Sequence, residues 1–532
     1  MLDTAEPQWK DVGPIAELAA KSQLVTKING RQILLLHHKG QVFACNNRCP
    51  HEGHPLAKGV LGDDCRLTCN WHNWKFDLIT GETIKGGDAL RRYPVRIVDG
   101  VVSIDVTDPP VAEIREASLA GLFGAFDEHD YTRLARETAR YERAHGDYRE
   151  LLTAVFARTA DRLEYGTTHA HAAAPDWLAL RDRIPEDRPA DRLVPLIEVI
   201  GHASWDCLLQ PGAFPLTGET AVDYDAAPLE DAIEAEDEVL AISIARAGLA
   251  EGGGNLLKPA LERAAFRHYQ GFGHSVIYTS KTYELLNVLG PAATEALVLP
   301  LVRYLCHANR EDLIPEFRSY APALAAWDGE GRSLPSLEDF HRKGVAACLE
   351  LIQKGSADIE GLYHTLFQAA AASMLHYDAT YRNQIDGPVG HNIDWLDFSH
   401  ALTHLNASRK ICAQQSDLWP AALLQAGCFL GRNASFVDWT QDTDRWAVSD
   451  TDAFFDTIFD RLLDHGQPTY IFVAHTMKLT SALRQEISVS PNAPWVPTAL
   501  AALNRFVNEP AKQKHVRRSA HQAWDFIAGS GE

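Results

Sequence analysis

Two pairs of cysteine and histidine residues lie near the beginning of the 532-residue chain. Cys49 and His51 form a C-x-H pair, and Cys69 and His72 form a C-x2-H pair farther along. Two thiolates and two imidazoles suit a pair of irons bridged by sulfide, with the thiolates on one iron and the imidazoles on the other. Tetrahedral zinc is the alternative for the same four side chains. We favour the iron–sulfur cluster because C-x-H is not a usual zinc-finger spacing.

The residues around both pairs extend the pattern. Residues 49–59 read CPHEGHPLAKG, and residues 69–81 read CNWHNWKFDLITG. Residues 1–107 therefore resemble a Rieske [2Fe–2S] ferredoxin domain, whose two loops read CPHxGxPLxxG and CPWHGxxFDxxTG. The resemblance implies an electron carrier that moves one electron at a time. The cluster ligands that it implies are Cys49, His51, Cys69 and His72.

The loops depart from the family pattern at two positions and lack a further cysteine. Asn70 and Asn73 stand where the family commonly has proline and glycine, which could change the hydrogen bonds to sulfur. Respiratory-type Rieske proteins carry an additional cysteine in each loop, so this domain resembles the ferredoxin and oxygenase type. Cys45 and Cys65 each precede a ligand cysteine by four residues. We interpret them as buried strand cysteines, with extra ligands or a redox pair as the alternatives.

Short strands and tight turns surround these loops. Asn29-Gly30 joins two apolar runs, Leu24–Ile28 and Gln32–His38, as a two-residue hairpin turn does. Asp99-Gly100 joins a second pair of runs near residue 106. The pattern predicts a small all-β sandwich or barrel over residues 1–107.

The pattern changes after this region. Thr107–Pro110 is a cluster of turn residues, and apolar residues recur at three- and four-residue steps from Tyr131 onward. We predict a linker at residues 108–130 and a large all-α domain at residues 131–532. The fold class is therefore multidomain, with a small all-β Rieske domain followed by an all-α domain that we expect to be catalytic.

One predicted helix carries a second set of candidate ligands. Asp397, His400 and His404 form D-x2-H-x3-H, which places them on one helix face. Two imidazoles and a carboxylate can hold non-haem iron with open positions for O2 and substrate. Rieske oxygenases use a similar D-x2-H-x4-H element, but theirs is one residue longer and lies in an α+β domain. Packing histidines are the alternative, and E-x2-H pairs at Glu142 and Glu338 leave a di-iron site open.

Two helical segments show a second, shorter resemblance. Residues 272–284 read FGHSVIYTSKTYE, and residues 397–407 read DFSHALTHLNA. They are similar to histidine-bearing segments of the questin oxidase-like family, all-α proteins linked to Baeyer–Villiger-type oxidation. The resemblance implies roles for His274 and His400 in oxidation chemistry.

Composition and charge exclude several classes of partner. The net charge is −21, and the acidic excess lies beyond residue 107. A nucleic-acid partner and an acidic membrane surface are therefore not expected. No stretch reaches the roughly 20 apolar residues of a membrane span. The first ten residues do not resemble a secretory signal, so we predict a cytoplasmic protein.

The source of electrons is predicted to be another protein. No strand is followed by a G-x-G-x-x-G turn that opens a helix, so no nicotinamide or flavin site is evident. Haem held by histidine without covalent attachment stays an alternative. We expect an electron-donating reductase or ferredoxin, a small-molecule substrate and O2 as partners. Family resemblance also makes a homo-oligomer an expectation.

The sequence thus predicts a Rieske iron–sulfur oxidoreductase of the oxygenase or oxidase kind. Electrons from the [2Fe–2S] cluster would reach a histidine-ligated metal in the helical domain, which acts on a small organic molecule. The alternative is an electron-transfer or redox-sensing protein whose helical domain is a docking scaffold without a second metal. A non-redox enzyme with structural zinc is the third reading.

Overall fold

The computed structural model describes residues 6–218, 222–387 and 392–530. The chain forms two compact units, Met1–Asp147 and Tyr148–Glu532. The first contains all the named strands, and the second is built from helices, which confirms the predicted fold class. Among the described residues, no helix is both long and apolar enough to cross a membrane.

The first unit contains three small antiparallel sheets. Their strand orders are β1-β10-β9, β2-β3-β4 and β5-β6-β7-β8. The strands are β1 Trp9–Pro14, β2 Gln23–Ile28, β3 Arg31–His38, β4 Gln41–Asn46, β5 Val60–Leu61, β6 Arg66–Thr68, β7 Lys75–Asp77, β8 Thr83–Lys85, β9 Val95–Val98 and β10 Val101–Asp105. A short helix, α1 (Ile15–Lys21), follows β1.

Strand β3 lies between two hydrophobic cores. Side chains alternate across a strand, so the apolar run Ile33–Leu36 presents residues to both faces. Leu34 and Leu36 pack in the core that also contains Cys49 and Cys69. The intervening side chains of the run pack in the second core, against β10. The continuous apolar run thus contributes both to the core that contains the two cysteines and to the second core.

Two-residue turns set the register of the hairpins. Asn29 and Gly30 both have positive φ angles, 49° and 78°. Asp99 and Gly100 repeat this geometry at 48° and 79°. Positive φ at both central residues matches the right-handed twist of the strands, which is why Asn-Gly and Asp-Gly are favoured here. Both predicted hairpins are confirmed.

The predicted linker at residues 108–130 is wrong, because most of it is helical. Helix α2 covers Val111–Glu128, and α3 covers Tyr131–Arg143 and packs on α2. The side chain of Asp88, in the β region, is fully buried against three arginines of α3. This ion-pair cluster and the α2–α3 contact explain why the first compact unit extends to Asp147 rather than ending near residue 107.

The described part of the second unit consists of helices joined by loops and contains no named strand; one isolated β-bridge joins Tyr377 and Val437. Many of its helices contain long buried runs rather than a narrow apolar stripe, as expected for a large all-α core. The helices are α4 Tyr148–Thr159, α5 His169–Arg183, α6 Pro189–Leu209, α7 Ala226–Glu234, α8 Glu238–Gly252, α9 Gly254–Arg267, α10 His274–Leu289, α11 Thr294–His307, α12 Tyr320–Ala325, α13 Val345–Lys354, α14 Ile359–Leu375, α15 Trp395–Cys412, α16 Trp419–Asn433, α17 Thr451–Leu462, α18 Tyr470–Val489, α19 Val496–Asn508 and α20 Val516–Ser530.

Four of these helices pack in a ring. Helix α5 contacts α10, α10 contacts α15, α15 contacts α18, and α18 contacts α5. The interior of such a ring is a place where one side chain from each helix can meet its counterparts.

Candidate metal centres

Two loops of the first unit have matching backbone geometry. In each, the N–H four residues after the cysteine donates to the carbonyl oxygen of that cysteine. Gly53 donates to Cys49 at 2.8 Å, and Asn73 donates to Cys69 at 3.0 Å. Gly53 and Asn73 both have left-handed φ angles, 75° and 59°. Asparagine tolerates this conformation better than most residues, so Asn73 preserves the turn where the family commonly has glycine.

The two loops bring four donor groups together. Cys49 and Cys69 are buried, and both are free thiols. The Nδ1 atoms of His51 and His72 lie 3.0 Å apart, with the ring centroids at 4.6 Å. Burial, together with the neighbouring Cys69, raises the pKa of the Cys49 thiol to about 11. Two buried sulfur ligands beside two facing imidazole nitrogens fit a [2Fe–2S] cluster with thiolates on one iron and imidazoles on the other.

Aromatic rings surround the histidine side of this site. His51 stacks on Trp74 with ring centroids 4.7 Å apart. Trp71 meets His72 edge-on at 5.7 Å and is 63% exposed. The His72 side chain is itself 41% exposed. The histidine edge of the site therefore faces the surface of this unit, whereas the cysteines face its core.

The cysteines that precede the loops lie apart from this arrangement of donors. Cys45 is on β4 and packs in the core beside Leu34, and burial raises its pKa to about 12. Cys65 is buried in the turn before β6, with a left-handed φ of 61°. Each is a free thiol, so the two do not form a disulfide with each other.

Comparison with known proteins identifies the first unit. Residues 8–95 match the family model of the Rieske [2Fe-2S] domain. The 3-phenylpropionate/cinnamic acid dioxygenase ferredoxin subunit of Photorhabdus laumondii is 35% identical over 78 residues, which is 14% of this chain and 74% of that protein. The chain belongs to the Rieske [2Fe–2S] family. Its Rieske domain binds a [2Fe–2S] cluster, as the sequence predicted.

Other relatives match the same region. Apoptosis-inducing factor 3 of Mus musculus is 39% identical over 75 residues, which is 14% of this chain, and the chain spans 12% of that protein. The ferredoxin of carbazole 1,9a-dioxygenase from Nocardioides aromaticivorans has 19% identity and a TM-score of 0.18 over 19% of this chain and 99% of its own. The resemblance of the helical unit to the questin oxidase-like family stays a prediction.

The second unit contains a cluster of four histidines, one from each helix of the ring. Their candidate ligand atoms all lie within 4.8 Å of one another. The Nε2 of His274 is 3.2 Å from that of His169 and 2.9 Å from that of His400. The Nε2 of His475 is 3.1 Å from that of His400. We call these four residues, His169, His274, His400 and His475, the four-histidine cluster.

The second nitrogen of each ring fixes its orientation. Nδ1 of His274 donates to the carbonyl of Gly271 at 2.5 Å. His400 and His475 each donate from Nδ1 to the carbonyl four residues earlier, at 2.6 and 2.7 Å. The Nδ1 of His169 lies 3.1 Å from the Tyr278 hydroxyl. A carbonyl oxygen can only accept, so the Nε2 atoms of three of these neutral rings carry lone pairs.

Two of these histidines are the first residues of their helices. His274 begins α10 after a turn in which Gly271, Phe272 and Gly273 all have left-handed φ angles. His169 begins α5 directly after the N-cap Thr168. The other two project from helix interiors, with His400 and His475 buried. Burial lowers the pKa of His274 to about 4 and lowers the pKa values of the other three well below the usual value.

The predicted triad on α15 does not form. His400 is in the cluster, but His404 instead contacts the Gln425 amide oxygen through Nε2 at 3.1 Å. Asp397 forms a capping box at the start of the helix, accepting from the Asp394 N–H at 2.8 Å. The prediction was wrong for Asp397 and His404. Helical spacing shows which residues share a face of α15, but it does not show which other helices pack against that face.

Sequence reasoning found two members of the cluster and missed two. His274 and His400 were predicted, whereas His169 and His475 were not. The available signal for His169 was its position after Thr168, an N-cap residue, at the start of an alanine-rich helix. The E-x2-H pairs at Glu142 and Glu338 join no group of three or more candidate ligands among the described residues.

Proposed function

We propose that this protein is an oxidoreductase that moves electrons from the Rieske cluster to a metal ion bound by the four-histidine cluster. It would act there on a small organic substrate together with O2. The proposed ligands of the [2Fe–2S] cluster are Cys49, His51, Cys69 and His72. The proposed ligands of the second metal are His169, His274, His400 and His475.

The observation that carries this proposal is the convergence of imidazole nitrogens. Three neutral rings have their N–H groups bonded to carbonyls, so their Nε2 lone pairs face one another at 2.9 and 3.1 Å. Such contacts are repulsive unless a cation lies between them. Burial disfavours a protonated ring as that cation. Nitrogen atoms that share one ion at about 2.1 Å lie near these separations, so a bound metal accounts for the arrangement.

The carbonyl partners support the same reading. A histidine that binds a metal usually donates its other ring N–H to a carbonyl or carboxylate, which fixes the tautomer and the ring direction. Three of the four rings in this cluster show that arrangement with backbone carbonyls. Packing histidines would not need a common target for four Nε2 atoms.

Iron is the metal that best fits a redox role. Imidazole ligands suit zinc, copper, iron and nickel, but zinc is not redox-active. A Rieske centre supplies one electron at a time, which iron can accept. The relatives named above include the ferredoxin subunit of a dioxygenase, which supports an oxygenase-type system here. We further propose that an external reductase or ferredoxin reduces the Rieske cluster.

Metal analysis of the purified chain tests the proposal. Anaerobically purified protein should contain iron in excess of acid-labile sulfide, because the cluster alone supplies equal amounts of the two. His400→Ala should remove the excess iron and leave the visible spectrum of the cluster intact. Equal iron and sulfide in the unmodified protein, with no other bound transition metal, would instead favour an electron-transfer protein without a second centre.

Electron delivery is tested separately. Cys69→Ser should remove the cluster while leaving the second metal bound. Reduced donor protein should then fail to reduce the second metal in this variant, although a small chemical reductant still does. Reduction by the donor at an unchanged rate would contradict the proposed route from the cluster.

A further inference from the structure

Helix α20 packs on the helical unit through polar side chains. The guanidinium of Arg518 is buried and donates to the Gln384 carbonyl oxygen at 3.1 Å and to the Asn392 amide oxygen at 2.9 Å. One turn later, the Gln522 amide donates to the Gly387 carbonyl oxygen and to Asn392, both at 3.1 Å. A surface helix of a globular protein normally turns its apolar side toward the core. In α20 the side that faces the core is polar instead.

The outer side of α20 is apolar. Four apolar residues recur there at steps of four, three and four positions and form one stripe along the helix, which we call the α20 stripe: Val516, Ala520, Ala523 and Ile527. All four are exposed. Trp524 and Phe526 lie on the two flanks of the stripe and are 77% and 72% exposed. Large apolar surfaces of this kind mark interaction sites on soluble proteins.

The α20 stripe has the same spacing in both chain directions. Its ends are large residues, valine and isoleucine, and its middle is two alanines. A two-fold symmetric pair buries the same surface on both copies, so its contacts must be self-complementary. In an antiparallel pair of α20 helices, Ala520 lies opposite Ala523 of the second copy, and Val516 lies opposite Ile527. The alanines let the two backbones approach at the centre, and the larger side chains pack at both ends.

Area and charge also fit a second copy. A buried aromatic side chain covers about 150–250 Å², so Trp524 and Phe526 at their present exposure contribute roughly 200–400 Å² per copy. With the aliphatic stripe, two copies reach about 1,000 Å², the size at which specific interfaces begin. Arg517 is exposed on the same flank as Trp524. Antiparallel packing brings its guanidinium to the indole ring of the second copy, where a cation is attracted to the ring face.

We propose that two copies of this protein associate through their α20 helices, packed antiparallel along the α20 stripe. The polar contacts of Arg518 and Gln522 hold each helix in place before association, which reduces the entropy cost of binding. Because the same surface is buried on both copies, the contact closes as a dimer. This inference does not depend on a metal in the four-histidine cluster.

Sedimentation equilibrium of the full-length protein tests the proposal. Twice the mass of one chain is expected as the concentration rises. Trp524→Ala should raise the dimer dissociation constant by about thirtyfold or more, as for an aromatic residue that carries much of an interface's binding energy. Ala523→Glu puts a carboxylate into the apolar centre from both copies and should raise the constant by about a hundredfold or more. Leu313→Glu is the matched control, because Leu313 is 69% exposed outside α20, and it should leave the constant unchanged.

Disulfide trapping tests the direction of the two helices. All nine native cysteines are buried, so a cysteine introduced on the stripe is the accessible thiol. A mixture of Ala520→Cys and Ala523→Cys should cross-link under mild oxidation. Val516→Cys alone should not, because antiparallel packing places its two copies about 16 Å apart along the helix axis.

Each outcome supports or overturns the proposal. The mass of a single chain at every concentration would overturn it without any variant. A dimer whose dissociation constant stays within about twofold in both Trp524→Ala and Ala523→Glu would also overturn it, because the contact would then lie elsewhere. Efficient cross-linking of Val516→Cys with itself would contradict the antiparallel arrangement. All these substitutions lie on the exposed side of α20, so the visible spectrum of the Rieske cluster and the thermal unfolding of each monomer should match the unmodified protein.

Discussion

Two buried histidines on different helices offer a direct test of which residues would bind the proposed second metal. His475 points its Nε2 at the cluster, whereas His404 contacts Gln425. Both are nearly inaccessible to solvent, at 2% and 0% exposure. We would replace each with glutamine, which limits the cavity left behind. The sequence motif alone predicts that His404 is the ligand, and the structure predicts that His475 is.

The expected effects differ in kind. His475→Gln leaves three Nε2 atoms in the cluster and removes one ligand bond. Loss of a partner that only orients a ligand already weakens metal binding by about 10–100-fold, so loss of a ligand should exceed 100-fold. His404→Gln should keep the metal but leave the buried Gln425 oxygen without its 3.1 Å contact. An unsatisfied buried acceptor costs about 1–3 kcal/mol of folding free energy.

The assay combines metal analysis with thermal unfolding. For each variant, iron and acid-labile sulfide are measured per chain, and unfolding is followed by circular dichroism with and without added metal. We expect His475→Gln to lose the iron in excess of sulfide and the stabilisation by added metal. His404→Gln should unfold at lower temperature but retain both. If His404→Gln loses the excess iron and His475→Gln keeps it, the assignment of the cluster is refuted.

Three further predictions concern the two units separately. Asp88→Ala removes the buried carboxylate that pairs with Arg133 and Arg136, while Arg140 keeps its 2.6 Å ion pair with Glu137. Unfolding monitored at the cluster absorbance should therefore show a loss of about 3 kcal/mol; an unchanged midpoint would contradict this. Asn73→Val forces a β-branched residue into the left-handed region at about 1–2 kcal/mol, whereas Asn73→Gly should retain the cluster, as visible spectra would show. Burial alone would lower the pKa of His268, but its bonds to Glu311 and Glu234 outweigh this effect and raise the pKa overall. The stabilisation by these ion pairs should be complete below the usual histidine pKa of 6.5 and should be lost as pH rises through the folded-state pKa. The free energy of unfolding of His268→Gln, measured across this pH range, should lack that dependence. A pH profile identical to that of the unmodified protein would count against the ion pairs.

The first unit could be predicted because its information is local. Cys49 to His72 is a short segment in which two loops repeat one hydrogen-bond pattern, and the run Ile33–Leu36 predicts a strand buried on both faces. The missed helix α2 has a physical explanation as well. Pro109 and Pro110 break the strand pattern, but proline immediately before a helix is compatible with helix initiation rather than with a linker.

The four-histidine cluster could not be predicted in the same way because its information is not local. Successive members in contact are separated by 105, 126 and 75 residues, and no two lie on one helix. Helical periodicity relates residues within a helix, so it favoured His404, one turn from His400. Only the packing of α5, α10, α15 and α18 shows which faces meet. Four single histidines without a local motif leave a very weak sequence signal.

The two centres differ in a way that suits the two proposed tasks. In the Rieske domain, the histidine edge is partly exposed and flanked by the exposed Trp71, so electrons can enter or leave through a surface. In the helical unit, ring N–H groups of His274, His400 and His475 are tied to carbonyls, which holds the Nε2 atoms in place whether or not substrate is present. A metal bound by the proposed ligands would be held by neutral imidazoles in a largely buried site, which would limit the access of water to it. A partly exposed centre for electron exchange and a largely buried centre for chemistry are therefore consistent with the proposed oxidoreductase, in which the two units would divide these tasks.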